Sequence, residues 1–144
     1  MKRNKYVVEE TRFDYKGYPC VVLFVDMGHR CGYIGIPRKS WKPELEDAVD
    51  CHGGVTYCKS HLNLQDDTDK FWIGFDTAHF GDGKDLEKVK EYFGEETLKT
   101  LLKWSISSVG DSVCTLDYCI EQCKSMVDQT IEFLAEKEGL DESN

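Results

Sequence analysis

The chain has 144 residues, of which 40% are hydrophobic and 31% are charged, and its formal net charge is −9. This length and composition predict one soluble globular domain over residues 1–144. The negative charge disfavours bulk binding to DNA or RNA, and no stretch approaches the ~20 apolar residues that a membrane-spanning helix needs.

The first half of the chain predicts β structure. Strands are expected at residues 6–13, 20–25, 31–37 and 71–75, because these runs combine β-branched and aromatic residues and are bounded by turn residues. The run at 20–25 is apolar throughout, which predicts a central strand buried on both faces. One short helix is expected within residues 41–50.

The second half predicts helices at about residues 85–93, 97–106 and 115–134, the first of them capped by Asp85. In the last helix the apolar residues recur at steps of three and four, which is the pattern of a helix with one buried face. We expect the tail at 136–144 to fray.

The order of the elements, with strands first and long helices last, predicts an α+β fold. Its mainly antiparallel sheet would lie in the N-terminal half and be packed by the C-terminal helices. The apolar face of the last helix needs a partner surface on that sheet. We expect Val21, Leu23 and Ile34 to supply it.

Two glycine-framed polar clusters in the middle of the chain predict a site. The first reads Cys-His-Gly-Gly-Val-Thr-Tyr at 51–57. The second, at 71–82, follows an aromatic strand with an aspartate, a histidine and an aspartate at steps of three. Glycine permits backbone angles and close approaches that other residues forbid, so we expect the clusters to converge on a ligand. The predicted ligand-binding residues are Arg30, His52, Gly53, Gly54, Tyr57, Trp72, Asp76, His79 and Asp82.

These residue types allow several kinds of chemistry. Histidines and carboxylates can bind a divalent metal, carry out general acid–base catalysis or recognise a ligand. For a ligand, Arg30 would be the cation, and Trp72 or Tyr57 would form an apolar wall. The alternative is purely structural: the acidic and imidazole groups of the second cluster would form a hydrogen-bonded turn before the first long helix.

The cysteines and the remaining motifs add less. A serine hydrolase is excluded because no Gly-x-Ser-x-Gly motif is present. A zinc set of Cys58 and His61, with Cys51 and His52 upstream, is a weak alternative, because seven cysteines produce such spacings by chance. We therefore assign no catalytic residue, metal ligand or cofactor. The odd cysteine count and the absence of an apolar signal core predict reduced thiols in a cytoplasmic compartment.

Three segments carry a resemblance: HGGVTY at 52–57, WIGFDTAHFGD at 72–82 and YCIEQCKS at 118–125. On these motifs the chain resembles a family of small uncharacterised phage and prophage proteins over about residues 12–129. It departs from the family pattern at Phe71, where tryptophan is expected, and at Gln122, where glutamate is expected. The resemblance implies a viral or mobile-element origin. Many small phage proteins counter host defence, some of them by sequestering nucleotide immune signals.

The leading functional expectation is a non-enzymatic phage protein in the host cytoplasm. It would bind and sequester a small anionic, nucleotide-like molecule such as a host immune signal. One alternative is a metal-assisted hydrolase that cleaves such a molecule, and a second is a protein inhibitor that binds a host defence protein. Because a small chain builds a deep pocket most easily between copies, we expect a homo-oligomer. We expect neither bulk nucleic acid nor a membrane as a partner.

Overall fold

A computed structural model describes residues 2–60, 62, 69–79, 81–104 and 112–142. Within that part of the chain the strands are β1 (Val7–Tyr15), β2 (Tyr18–Val25), β3 (Arg30–Pro37), β4 (Tyr57–Lys59), β5 (Lys70–Asp76), β6 (Asp82–Gly83) and β7 (Ser112–Val113). The helices are α1 (Leu45–Ala48), α2 (Leu86–Phe93), α3 (Glu95–Trp104) and α4 (Leu116–Glu142), and a 3-10 turn covers Arg38–Ser40.

The first five strands form one antiparallel sheet in the order β1-β2-β3-β5-β4, and α4 packs across it. This arrangement confirms the predicted α+β fold. The strands β1, β2 and β3 follow each other as a meander, whereas β5 reaches β3 only after the segment that carries the first polar cluster. A separate parallel pair, β6 with β7, joins residues 82–83 to residues 112–113. This small pair matters for the site, because it brings the start of α4 close to the second polar cluster.

The core beneath α4 follows the two-residue alternation of the strands. Side chains on one sheet face pack against Cys119, Cys123 and Val127 of α4, and the sheet contributes Cys20, Val22, Ile34, Ile36, Ile73 and Phe75. The expectation for Ile34 is confirmed. The expectation for Val21 and Leu23 is wrong, because both lie on the opposite sheet face with Tyr33 and Trp72.

The helix and β3 approach each other closely at Gly32. A Cβ atom at this position would stand 2.5 Å from the Phe75 ring and 2.9 Å from the Cys123 sulfur. Such distances are far below ordinary van der Waals contact, so only glycine fits between these two side chains. The glycine in β3 therefore permits α4 to lie close on the sheet.

The helix ends follow simple capping rules. Asp85 accepts a hydrogen bond from the Lys88 main-chain N–H, as predicted for the start of α2. Thr115 does the same for the Tyr118 N–H at the start of α4. The helix α4 continues to Glu142, past the predicted end at 134. In the described part of the chain, no helix combines the length and apolarity that crossing a membrane requires.

Candidate functional site

His52 lies at the centre of a polar cluster between the sheet and α4. Its Nε2 atom is 2.9 Å from Oδ2 of Asp82, and its Nδ1 atom is 2.8 Å from the Tyr118 hydroxyl. The His52 main-chain N–H also donates to Oε1 of Gln122 at 2.8 Å. Two residues of α4 thus hold the backbone and the ring of His52, so that Nε2 faces Asp82.

The second polar cluster is a turn that its own side chains stabilise. Asp76, at the end of β5, accepts hydrogen bonds from the Ala78 N–H and the Thr56 hydroxyl, both at 3.0 Å. Asp82 accepts from the His79 N–H at 3.0 Å and donates its own N–H to the His79 carbonyl at 2.9 Å. The turn expected under the structural alternative is therefore present. The same turn places the carboxylate of Asp82 beside His52.

The two glycine-framed clusters meet at Gly53 and His79. A Cβ atom at Gly53 would stand 2.3 Å from Cε1 of His79 and 2.7 Å from its Nε2. Gly53 also has a φ of +70°, a conformation that residues with a Cβ rarely adopt. The rings of His52 and His79 have centroids 5.8 Å apart. The structure therefore brings together His52, Gly53, Asp76, His79 and Asp82, as the sequence analysis expected.

Cys114 joins this cluster and was missed by the sequence analysis. Its Sγ atom is 3.8 Å from Nε2 of His52 and 3.6 Å from Oδ1 of Asp82. It follows β7 directly, and the pairing of β7 with β6 carries it to Asp82. No motif surrounds Cys114 in the sequence. The only available signal was its place just before the cap of the longest predicted helix.

His52, Asp82 and Cys114 form a set that could hold a metal ion, since their donor atoms all lie within 4.8 Å of one another. In a tetrahedral zinc site, bonds of about 2.1 Å to nitrogen or oxygen and about 2.3 Å to sulfur separate the sulfur from either donor by roughly 3.6 Å. The same geometry separates nitrogen from oxygen by roughly 3.4 Å. With Oδ1 of Asp82 as the donor, the observed sulfur distances, 3.8 and 3.6 Å, fit this geometry, and the 3.0 Å nitrogen–oxygen distance would open by about 0.4 Å.

The acid–base state of the set also bears on metal binding. Burial raises the pKa of the Cys114 thiol to about 11, and the nearby Asp82 carboxylate adds to the rise. Burial works against ionisation of Asp82 as well. The hydrogen bonds from His52 and from the His79 N–H outweigh it, so the pKa of Asp82 is lowered. Without a metal the set therefore consists of a carboxylate and a protonated thiol around an imidazole.

Asp76 and His79 form the outer rim of the cluster, with side chains 36% and 38% exposed. The Nδ1 atom of His79 lies 3.4 Å from Oδ2 of Asp82 and 3.7 Å from Oδ1 of Asp76. Among the described residues it has no hydrogen-bond partner, although the atom itself is shielded from solvent. This nitrogen therefore faces the two carboxylates and is not open to solvent at the rim.

Two of the predicted ligand-binding residues lie in the interior instead. Arg30 is only 3% exposed and pairs with two carboxylates, those of Glu10 and Asp85. Trp72 is fully buried on the sheet face opposite α4. Arg30 is therefore not placed to act as a cation for a ligand, and Trp72 does not line a pocket.

The other predicted residues have simpler surroundings. The ring of Tyr57 packs edge-on against Tyr33, with centroids 5.1 Å apart, on the face that holds the buried tryptophan. Gly54 has a φ of +83° and open space around its Cα atom. In the alternative zinc set, Cys51 and Cys58 pack against the core beneath α4, and His61 lies outside the described residues.

Comparisons with known proteins leave the site to be interpreted from its geometry. No protein-family model matches the chain, and no curated protein and no solved structure is significantly similar to it.

Proposed function

We propose that this protein is a metal-assisted hydrolase that holds a divalent transition metal, zinc in the first instance, on His52, Asp82 and Cys114. The observation that carries the proposal is the convergence of three donors from three separate segments of the chain, all within 4.8 Å of one another. Imidazole, carboxylate and thiolate are the ligand types that zinc prefers in proteins. The Tyr118 hydroxyl on Nδ1 of His52 is the kind of outer hydrogen bond that orients a metal-bound imidazole.

Two features of the site support hydrolysis: the number of protein donors, and the presence of His79 and Asp76 at the outer rim of the cluster. Three protein ligands leave a fourth position for water, which is the arrangement of catalytic rather than structural zinc sites. His79 lies beside this donor set: its ring centroid is 5.8 Å from that of His52, and its Nδ1 atom is 3.4 Å from Asp82 and 3.7 Å from Asp76. We assign His79 as the general base. A metal held by the three donors would supply an activated water, and His79 would take the proton of that water as its oxygen attacks the substrate and would return the proton to the leaving group as the scissile bond breaks.

The geometry favours this function over sequestration of an anion, which was the leading expectation from the sequence. Sequestration relied on Arg30 as the cation, and that guanidinium is occupied by the carboxylates of Glu10 and Asp85. The cluster itself contributes the carboxylates of Asp76 and Asp82. A bound dication would supply the positive charge that an anionic substrate needs. Four expectations from the sequence stay predictions. They are the small anionic, nucleotide-like substrate, the phage origin, the alternative role as an inhibitor of a host protein, and the homo-oligomer.

The test of this proposal measures metal and turnover on the same preparations. Protein purified without a histidine tag and stripped with a chelator is reloaded with zinc, and its metal content is measured by mass spectrometry. Hydrolysis is followed with bis(p-nitrophenyl) phosphate. We expect one zinc per chain, its loss in Cys114→Ser and Asp82→Asn, and no loss in Cys58→Ser. We expect His79→Gln to keep the zinc and lose turnover. A wild-type protein that retains no zinc would refute the proposal.

A further inference from the structure

Arg30 occupies an unusual position for a charged side chain, because its guanidinium is almost fully buried and makes contacts in three directions. Nε lies 2.6 Å from the Glu10 carboxylate, and one terminal nitrogen lies 2.9 Å from Asp85. The other terminal nitrogen donates to the main-chain carbonyl of Cys114 at 3.1 Å. The third contact links this interior network to the candidate metal site.

The main chain of Arg30 reaches the other half of the site. Its N–H donates to the Thr77 hydroxyl at 3.0 Å, and its carbonyl accepts from that hydroxyl and from the Thr77 N–H. Thr77 directly follows Asp76 in the turn that carries His79 and Asp82. One residue therefore holds both segments that β6 and β7 bring together.

The anchors on the far side of Arg30 keep the guanidinium in place. Glu10 is itself 1% exposed and accepts a hydrogen bond from the Tyr92 hydroxyl at 2.8 Å. The guanidinium lies 5.0 Å from the centroid of the Phe24 ring. Arginine presents five donors on three nitrogens in a rigid plane, so it reaches two carboxylates and a carbonyl in different directions, whereas the three donors of lysine all radiate from one nitrogen.

We propose that Arg30 is a positioning residue that sets the location of the Cys114 thiol within the metal site. This inference rests on the proposed function. A buried ion pair is weak evidence for stability, because desolvation offsets much of its attraction. A role in fixing the main chain at Cys114 gives the arginine a purpose that stability alone does not. The residue chosen from the sequence as a ligand-binding cation thus acts through Cys114 rather than by touching a ligand.

The experiment uses the full chain loaded with Co²⁺, which reports on sulfur ligation through sulfur-to-cobalt charge-transfer absorption, together with Zn²⁺ affinity by chelator competition. Arg30→Lys keeps the charge against Glu10 and Asp85 but loses the rigid fork. We expect a loss of about 10- to 100-fold in zinc affinity, as for other groups that orient metal ligands, and a weaker charge-transfer band. The matched control, Arg12→Lys, makes the same substitution at a half-buried arginine that pairs with Glu9 and should leave both readouts unchanged.

A second variant tests the role of Arg30 if Arg30→Lys does not fold. Glu10→Gln retains the shape of the anchor and removes its charge, and we expect an intermediate loss of zinc affinity. If wild-type protein binds zinc and both folded variants bind it equally well with the same cobalt spectrum, the inference is wrong and the proposed function stands. If the wild-type protein binds no metal, both fail. Loss of stability with unchanged affinity would likewise assign Arg30 a structural role only.

Discussion

The imidazole ring of His79 occupies the space that any side chain at Gly53 would need, with Cε1 of His79 only 2.3 Å from the position of a Cβ atom at residue 53. The glycine of the first polar cluster is thus a condition for the histidine of the second. This contact joins the two clusters in the folded chain. A glycine can be required for the space it leaves or for its backbone conformation. Substitutions at Gly53 and Gly54 can distinguish these two requirements.

Gly53→Ala and Gly54→Ala form a matched pair for this test. Both positions have a left-handed φ, +70° and +83°, so both alanines should cost about 1 kcal/mol of unfolding free energy. Only the alanine at 53 collides with His79, because Gly54 has open space. We expect Gly53→Ala alone to lower turnover by about 100-fold or more, the contribution of a well-placed general base. Urea denaturation and the hydrolysis assay measure the two effects, and equal turnover in the two variants would contradict the assignment.

Metal binding should release a proton from Cys114. Because burial raises the pKa of this thiol to about 11, it is protonated near neutral pH, and a metal binds the thiolate. We expect the apparent affinity for zinc to rise about tenfold per pH unit from this proton alone. Calorimetry in buffers of different ionisation enthalpy counts the protons released. A count below one proton per zinc bound near neutral pH would exclude the thiol as a ligand.

Tyr118→Phe should weaken metal binding without unfolding the protein. The tyrosine is 38% exposed, and its hydroxyl holds Nδ1 of His52 at 2.8 Å. Removal of such an outer hydrogen bond costs about 10- to 100-fold in metal affinity in known sites. Tyr15→Phe is the control, because its hydroxyl donates to the exposed carboxylate of Asp128 at 3.3 Å and not to a residue of the site. Equal zinc affinity in the two variants would show that the hydroxyl does not orient His52.

His29 should make the fold sensitive to mild acid. Burial, followed by the nearby Lys84, lowers the pKa of this imidazole, which is 9% exposed. The unfolded chain therefore binds the proton more readily than the folded one. The contribution of neutral His29 to the free energy of unfolding is complete above pH ~6.5, and it is lost as the pH falls towards the lowered pKa of the folded state. The loss can reach about 1.4 kcal/mol per pH unit.

The His29→Gln variant tests this sign. Its free energy of unfolding, measured with urea on metal-free protein, should depend less on pH between 7 and 5 than that of the wild type. A slope equal to the wild-type slope in this range would mean that another group is responsible.

Much of the fold could be predicted from periodicity. The apolar steps of three and four in α4 and the β-branched run of β2 each indicate one kind of element. The error at Val21 and Leu23 has a physical cause: a strand buried on both faces carries apolar residues throughout, so its sequence does not show which face the helix covers. Cross-strand register, which the sequence does not specify, assigns Cys20 and Val22 to that face.

The site could be predicted only in part, and for a related reason. His52, Asp76, His79 and Asp82 lie in two compact motifs whose glycines mark close approaches. Cys114 carries no such mark, and only the pairing of β6 with β7 brings it near. Arg30 shows its charge in the sequence but not its two carboxylate partners, which come from β1 and from the cap of α2.

The pairing of β6 with β7 also determines when the candidate metal site can be completed during synthesis of the chain. His52 and Asp82 leave the ribosome before Cys114, and the strands of the main sheet are all made by residue 76. A nascent or truncated chain that stops before β7 would possess the whole sheet and two of the three donors. It would lack the thiol and the tyrosine that orients the imidazole. Metallation in the cell would therefore be a late event, which follows the emergence of the first turn of α4.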